Sequence, residues 1–491
     1  MSVAFLMFCV LYVAMIVLGV TTALEIVKYK TRPLMWANGL LCIAVGIAII
    51  VMMDTLGMGH DYTWWAAAIL ITIAAIVVLW LIAAIVRKKV GTRHDDLYFD
   101  CPYCFRRLHA AKDAAFRCVS SKSKCPEVDD VKLTAYEGGD VNTPIKAQKA
   151  FMCTWNSALQ NPMYDNCPVC DQETTKRICR HCGNHLPDST VEDESLIISI
   201  VGSRNVGKSH YVGVLINELI ERVAGHFNGA MTGFDDTRQR YDDNFSRRLY
   251  SELKRLDMTQ SATIKTNRPL IFTFTMEDRN NTIRNFTLVF YDTAGEDLDE
   301  YDTMSAVSRY ICKSAGIIFL LDPMQIWNVR NQLDDEVVSS ASSVTINQAT
   351  RPDDIMTRVS NLIRADKKIA ATRKIDIPVA AVFSKLDAIE PLVPAGATLM
   401  DTSPHCSAGA FVEADLHNVS SEVEGLLQAW GANAFTQQLN LNYTNFEYFA
   451  TSALGLGNSP KPDGSINRPN PHRIEDALLW ILKEEGVIEG I

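Results

Sequence analysis

Positive charge is what this chain has too little of. Its 47 Lys and Arg residues are outnumbered by 57 Asp and Glu, giving a net charge of −10. A field of that sign does not gather a polyanion, so nucleic acid is not expected among the partners. Basic residues are also missing from the start of the chain, where a cleaved signal peptide would carry them. They are missing again between Met53 and Trp64, where Asp54, His60 and Asp61 stand alone. Charge of either sign is nearly absent from three apolar runs, Val3–Val27 (broken only at Glu25), Leu34–Met53 and Trp64–Val86. Each is close to the roughly 20 residues that a bilayer-spanning helix needs. Three transmembrane helices are therefore expected over residues 1–90, with the lipid bilayer as a partner. Lys28, Lys30 and Arg32 follow the first run, and Arg87, Lys88, Lys89 and Arg93 follow the third. That asymmetry predicts a multi-pass protein of the cell membrane, its N-terminus outside and everything after Val86 cytoplasmic. So little intramembrane charge offers no path to a transported substrate, which argues against a channel or transporter.

Disulfides are a second expected absence, because a reducing cytosol keeps thiols free. Of 13 cysteines, nine fall between Cys101 and Cys182. Cys167-Pro-Val-Cys170 and Cys179-Arg-His-Cys182 are C-x-x-C knuckles, close enough to share one hairpin. Four thiolates there would hold a structural Zn²⁺ with no open coordination position. Cys101-Pro-Tyr-Cys104 is a third knuckle. Its nearest partners in the chain, Cys118 and Cys125, would complete a second zinc site, with Cys153 as a rival fourth ligand. Residues 91–190 thus read as a zinc-ribbon region, suited to docking or transmission.

What the chain does have is a phosphate-binding signature. Gly202-Ser203-Arg204-Asn205-Val206-Gly207-Lys208-Ser209 is G-x-x-x-x-G-K-S, lying between an apolar run, Leu196–Val201, and a helical run, Tyr211–Val223. Strand, loop and helix are the context this motif requires. Its glycines let backbone N–H groups curl round phosphates at a helix N-terminus. Lys208 would reach the β- and γ-phosphates, and Ser209 would hold Mg²⁺. Further on, Leu270–Met276 and Phe286–Tyr291 flank the polar turn Asp278–Asn281, a hairpin pattern. The second of these runs ends in Asp292-Thr293-Ala294-Gly295. Asp292 there suits a water-mediated hold on Mg²⁺, and the Gly295 N–H suits the γ-phosphate. Gly316–Leu321, Ile377–Phe383 and Phe446–Ala450 are further apolar strands alternating with helical segments. Such alternation implies an α/β fold, a mostly parallel sheet covered by helices, with ligand at the strands' carboxyl ends. The tail Pro471–Leu482 reads as a final helix packed on that sheet.

The phosphate loop, Asp292–Gly295, Ser384-Lys385-Leu386-Asp387 and Ser452-Ala453-Leu454 occur in the order of a P-loop GTPase. Residues 195–491 resemble the Ras/Era-like class, with insertions at about 228–261 and 395–442. The whole chain is similar, more loosely, to bacterial double-GTPase-type proteins of conflict and signalling systems. The resemblance implies that Asp387 accepts from guanine N1 and N2, that Lys385 packs over the base, and that the Ala453 N–H meets O6. Ser384 stands where Asn is commoner. Thr266, rather than Thr263, is the implied switch threonine on Mg²⁺. Glu296 occupies the position of a water-orienting Gln, where a carboxylate repels the attacking hydroxide, so slow or partner-dependent hydrolysis is implied. Arg204 would crowd a partner's arginine finger, and Asn205 implies K⁺ as a further cofactor. The expected function is a membrane-anchored GTP switch, hydrolysing GTP to GDP with Mg²⁺ and signalling to a cytosolic effector protein. The alternative is a non-hydrolysing GTP-binding scaffold of a membrane-associated complex.

Overall fold

The computed structural model describes residues 98–140, 142–153, 163–192, 194–256, 268–277, 283–291, 309–333, 351–456 and 465–491. The chain divides into two compact units. One comprises 1–98, 109–114 and 152–165, the other 99–108, 115–151 and 166–491. In the first, the Asp113 carboxylate accepts from the His109 N–H at 2.9 Å, and His109 Nδ1 accepts from the Ala111 N–H at 3.1 Å.

The transmembrane bundle is corrected here. Among the described residues no helix is long and apolar enough to cross a membrane. The three expected spans lie outside the described residues, so the bundle and the multi-pass placement built on it have no support in the structure. The architecture on view is instead a mixed α/β layer fold joined to a cysteine-rich region.

Seven strands make its central sheet. They are β1 (Glu194–Val201), β2 (Gly229–Gly233), β3 (Leu270–Glu277), β4 (Ile283–Tyr291), β5 (Gly316–Leu321), β6 (Val379–Phe383) and β7 (Phe446–Ala450), in the order β2-β3-β4-β1-β5-β6-β7. The five strands from β4 to β7 run parallel, with Ile197 opposite Val289 and Phe319 opposite Ala381. β2 and β3 are antiparallel additions at one edge. The connection from β3 to β4 is too short for a crossover, so that pair must be a hairpin. β5 and β6 are buried along their whole length. That matches their uninterrupted apolar sequences, Gly-Ile-Ile-Phe-Leu-Leu and Val-Ala-Ala-Val-Phe, because helices cover both faces of a parallel sheet.

The helices that matter are α1 (Lys208–Glu218), α2 (Pro352–Lys367), α3 (Glu413–Ala429), α4 (Asn433–Asn442) and α5 (Asp476–Glu484). α5 buries Leu478, Leu479, Trp480 and Ile481. It lies so close to β5 that a Cβ at Gly316 would meet the Ile481 side chain. Residues 228–261, read as an insertion, contain β2 and a helical stretch whose Phe245 and Leu249 are buried beside Gly213 of α1. Residues 395–442 contain α3 and α4, which fill the crossover that parallel strands β6 and β7 require. Leu416, Val419, Val423 and Leu427 of α3 are buried.

One buried histidine gives the fold a pH dependence. His405 is 1% exposed, its Nδ1 accepts from the Val412 N–H at 3.0 Å, and its ring stacks on Phe411. Burial holds its pKa down at about 4. The unfolded chain, with an ordinary histidine, binds the extra proton from about pH 6.5 downward. The contribution is therefore complete above that pH and is lost as pH falls toward about 4, by on the order of 3 kcal/mol. The Asp476 carboxyl 3.9 Å away, which burial raises to about 7, acts in the opposite sense over the same window, so the loss is read as the difference in melting temperature between wild type and a His405 variant from pH 7 to 4.5. His405→Asn, whose side-chain oxygen can accept the same N–H, should melt lower at pH 7 yet show a shallower decline. An equal slope in the variant would assign the acid sensitivity elsewhere.

Candidate functional site

The carboxyl ends of β1, β5, β6 and β7 converge on one set of loops. The loop from Gly202 to Gly207 leaves β1 and turns into α1. Two residues make the turn with positive φ, Asn205 at 60° and Gly207 at 98°. Gly202 is required for another reason, since a Cβ there would sit 2.7 Å from the Leu320 carbonyl oxygen. Val206 is fully buried and anchors the loop in the core. The buried Lys208 ammonium donates to the carbonyl oxygens of Gly202 and Ser203, each at 2.9 Å. The cation is thus bent over the loop's own rim, where an anion seated on the loop would meet it. Ser209 stands in the first turn of α1. Next to it, His210 accepts from the Leu256 N–H at 3.2 Å, and burial lowers its pKa to about 4.

The adjoining loops are tied to this one. Ser203 donates to Gln325 Oε1 at 2.8 Å. Gln325 lies in the short turn after β5, which Asp322 caps by accepting from the Met324 N–H. Asp322 also takes an ion pair at 2.6 Å from Lys385, itself in a left-handed conformation after β6. Ser384 donates to the Leu321 carbonyl at 3.0 Å. Asp387 accepts from the Ser452 hydroxyl at 2.6 Å, and that hydroxyl in turn accepts from the Gly455 N–H at 3.0 Å. Burial raises the Asp387 pKa, while the Ser452 hydrogen bond pulls it back down. Ala453 and Leu454 are partly buried against the core. Residues 202–209, 384–387 and 452–454 are therefore joined, through Gln325 and Asp322, by one chain of side-chain bonds at the carboxyl ends of the strands. Asp292, Gly295, Glu296 and Thr266 lie outside the described residues. Asp322 and Gln325 carry no motif of their own; the signal in the sequence is an acidic residue directly after an apolar strand.

The cysteine-rich region holds two tetrads, and their pairing corrects the expected one. Cys101, Cys104, Cys179 and Cys182 form one, and Cys118, Cys125, Cys167 and Cys170 the other, with sulfurs within 4.8 Å of one another. Closest pairs are 3.8 Å for Cys101 with Cys182 and Cys104 with Cys179, 3.5 Å for Cys118 with Cys170, and 3.9 Å for Cys125 with Cys167. A tetrahedron of Zn–S bonds near 2.3 Å sets its sulfurs about 3.8 Å apart, so these residues fit zinc. The cause of the nesting is a single ladder. Ala115–Arg117 pairs antiparallel with Arg177–Ile178. Cys118 leaves one end of that ladder and Cys179 leaves the other, so they cannot share an ion. Cys153 belongs to neither tetrad. Each of the three C-x-x-C knuckles is closed alike, with Phe105, Asp171 and Gly183 donating to the carbonyls of Cys101, Cys167 and Cys179, all three at positive φ.

This region is bound firmly to the sheet. Ser189 and Thr190 hydrogen-bond to Thr287 of β4 at 2.8 and 3.0 Å. His185 pairs with Asp235, and Arg268 bridges Glu137 and Asp236. Phe105 packs against Tyr291 and Tyr310, the residues on either side of 292–309.

No protein-family model matches the chain. It is 27% identical over 261 residues to a putative ESX-1 scaffolding and assembly protein, SaeC, of Mycolicibacterium smegmatis. That match spans 50% of this chain and 64% of the relative's length. Among solved structures it matches an Aquifex aeolicus Era protein bound to GDP and aluminium fluoride, at 14% identity and a TM-score of 0.23, over 59% of this chain and 56% of that one. These findings correct the expected identity. The relative is named for scaffolding and assembly, so neither a double-GTPase of a conflict system nor a membrane GTPase signalling switch is supported.

Proposed function

We propose that this chain is an assembly scaffold that binds a guanine nucleotide through residues 202–209, 384–387 and 452–454, and zinc through its two cysteine tetrads. One observation carries the nucleotide half: the buried Lys208 ammonium held over the carbonyl rim of a loop that Gly202 and Gly207 permit. A buried cation held over the rim of a loop that turns into a helix N-terminus suits a phosphate, with Ser209 beside it for Mg²⁺. The scaffold half draws on the relative's name and on the close packing of the metal-binding region against the sheet. A scaffold of this kind uses bound nucleotide as a structural part. GTP turnover is then unnecessary, in keeping with Glu296 at a position that suits a neutral water-orienting group.

Titration of the full chain with a fluorescent GDP analogue and Mg²⁺ tests the reading. Lys208→Ala is expected to weaken binding by about a hundredfold, the scale of two lost charge-assisted hydrogen bonds. Equal affinity in the variant, or no binding by the wild type, would sink the nucleotide reading. In a single-turnover assay bound GTP should remain intact over an hour; rapid release of phosphate would return the protein to the enzymes.

A further inference from the structure

We propose that Arg473 is the positioning residue for the base end of the nucleotide site, an inference that rests on the guanine reading above. Arg473 makes no side-chain bond to residues 202–209, 384–387 or 452–454. Its side chain is fully buried, and its backbone is held at a φ of 50°. A guanidinium has five N–H donors, and here all five are used. Nε donates to the Asp401 carbonyl at 2.8 Å. Nη1 donates to Asp415 and Asp476, each at 2.8 Å. Nη2 donates to Asp415 at 2.9 Å and to the Thr398 carbonyl at 3.1 Å. One side chain therefore pins the 398–401 loop, α3 and α5 to a single point.

The preceding residue passes that placement on. His472 Nε2 bonds to the Leu399 carbonyl at 2.9 Å. Its backbone makes a reciprocal pair with Ser452, N–H to O at 2.9 and 3.1 Å, and its carbonyl also accepts from the Thr451 hydroxyl at 2.8 Å. Ser452 is the residue whose hydroxyl orients the Asp387 carboxylate. Three links thus join the buried ion cluster to the group proposed to read the base. The phosphate end is held by other bonds, Ser203 to Gln325 and Lys208 to the Gly202 and Ser203 carbonyls. Disturbing Arg473 moves the base reader and leaves the phosphate loop in place.

The consequence is a selective defect. Arg473→Lys offers three donors at one point in place of a planar fork of five. In the full-length protein it should lower GDP affinity by about tenfold or more, the worth of one good base contact, and change tripolyphosphate affinity less than about twofold. Thr451→Val removes the hydroxyl bond to His472 and leaves every Arg473 bond intact. It should likewise lower GDP affinity while leaving tripolyphosphate affinity within about twofold, and it decides the matter if Arg473→Lys does not fold. Variants that keep the wild-type preference, or that lose GDP and tripolyphosphate equally, would overturn the assignment. A wild-type chain that binds no GDP would instead remove the guanine reading on which it rests.

Discussion

A chain carrying both Cys101→Ser and Cys118→Ser is expected to hold no zinc against a competing chelator, whereas Cys101→Ser with Cys179→Ser should keep one ion. The two tetrads are nested, so the first pair of changes breaks both and the second pair breaks one. If neighbours in sequence shared an ion, the outcomes would be reversed, since Cys101 and Cys118 would then belong to one site. Structural zinc contributes an apparent binding free energy of roughly 10–16 kcal/mol in zinc-finger peptides, which rests on deprotonated thiolate ligands that a serine hydroxyl does not replace. Zinc released per chain, measured with a colorimetric chelator, separates the pairings. The effect should reach beyond the metal. Phe105 directly follows the Cys101–Cys104 knuckle and packs on Tyr291 at the end of β4. Loss of the outer tetrad should therefore lower the melting temperature of the sheet, and loss of the inner one should lower it less. Retention of one ion by the Cys101→Ser, Cys118→Ser chain would reject the nested arrangement.

What could be read directly from the sequence depended on whether a signal was local. β5 and β6 were plain because a strand buried on both faces is apolar at every position. The strand, loop and helix around Gly202–Ser209 were plain because the motif's glycines, lysine and serine are contiguous between two apolar runs. The cysteine pairing was not, because it is decided by a ladder between residues 115–117 and 177–178, some sixty positions apart. Short strands of that kind have no periodicity to detect. α3 and α4 escaped notice for a different reason. Their apolar residues are spaced among Glu, Asn and Gln, and a long stretch after a base-reading motif reads as an insertion until a parallel β7 demands a crossover there. Arg473 escaped altogether, since a lone arginine before a helix ordinarily belongs to the surface. Only the approach of Asp415 and Asp476 from two other elements makes it a buried junction.

Replacing Asp387 with Asn should exchange the preferred base. A carboxylate offers only acceptors, which match the N1–H and 2-amino donors of guanine. Asparagine keeps one acceptor and adds a donor, which faces the 2-amino group of guanine donor to donor but matches the 2-oxo group of xanthine. The variant is therefore expected to bind GDP roughly a hundredfold to a thousandfold more weakly, the scale of losing charge-assisted bonds and leaving a donor unmatched. It should gain xanthosine diphosphate by a comparable factor. The pH response sharpens the test. Burial raises the Asp387 pKa from its ordinary value, against the lowering pull of the Ser452 hydrogen bond. Binding to the ionised form means that wild-type GDP affinity declines as acid protonates Asp387, at a higher pH than for an ordinary carboxylate, while an amide has no proton to gain, so the variant's affinity for xanthosine diphosphate should show no such decline. The Ser452 hydroxyl, 2.6 Å from Asp387 Oδ1, can donate to an amide oxygen as well as to a carboxylate. The residue is thus held in place after the exchange, and the altered preference reports on the base contact itself. A variant that loses GDP without gaining xanthosine diphosphate would leave Lys208 and its loop as a phosphate site and remove Asp387 from the reading of the base.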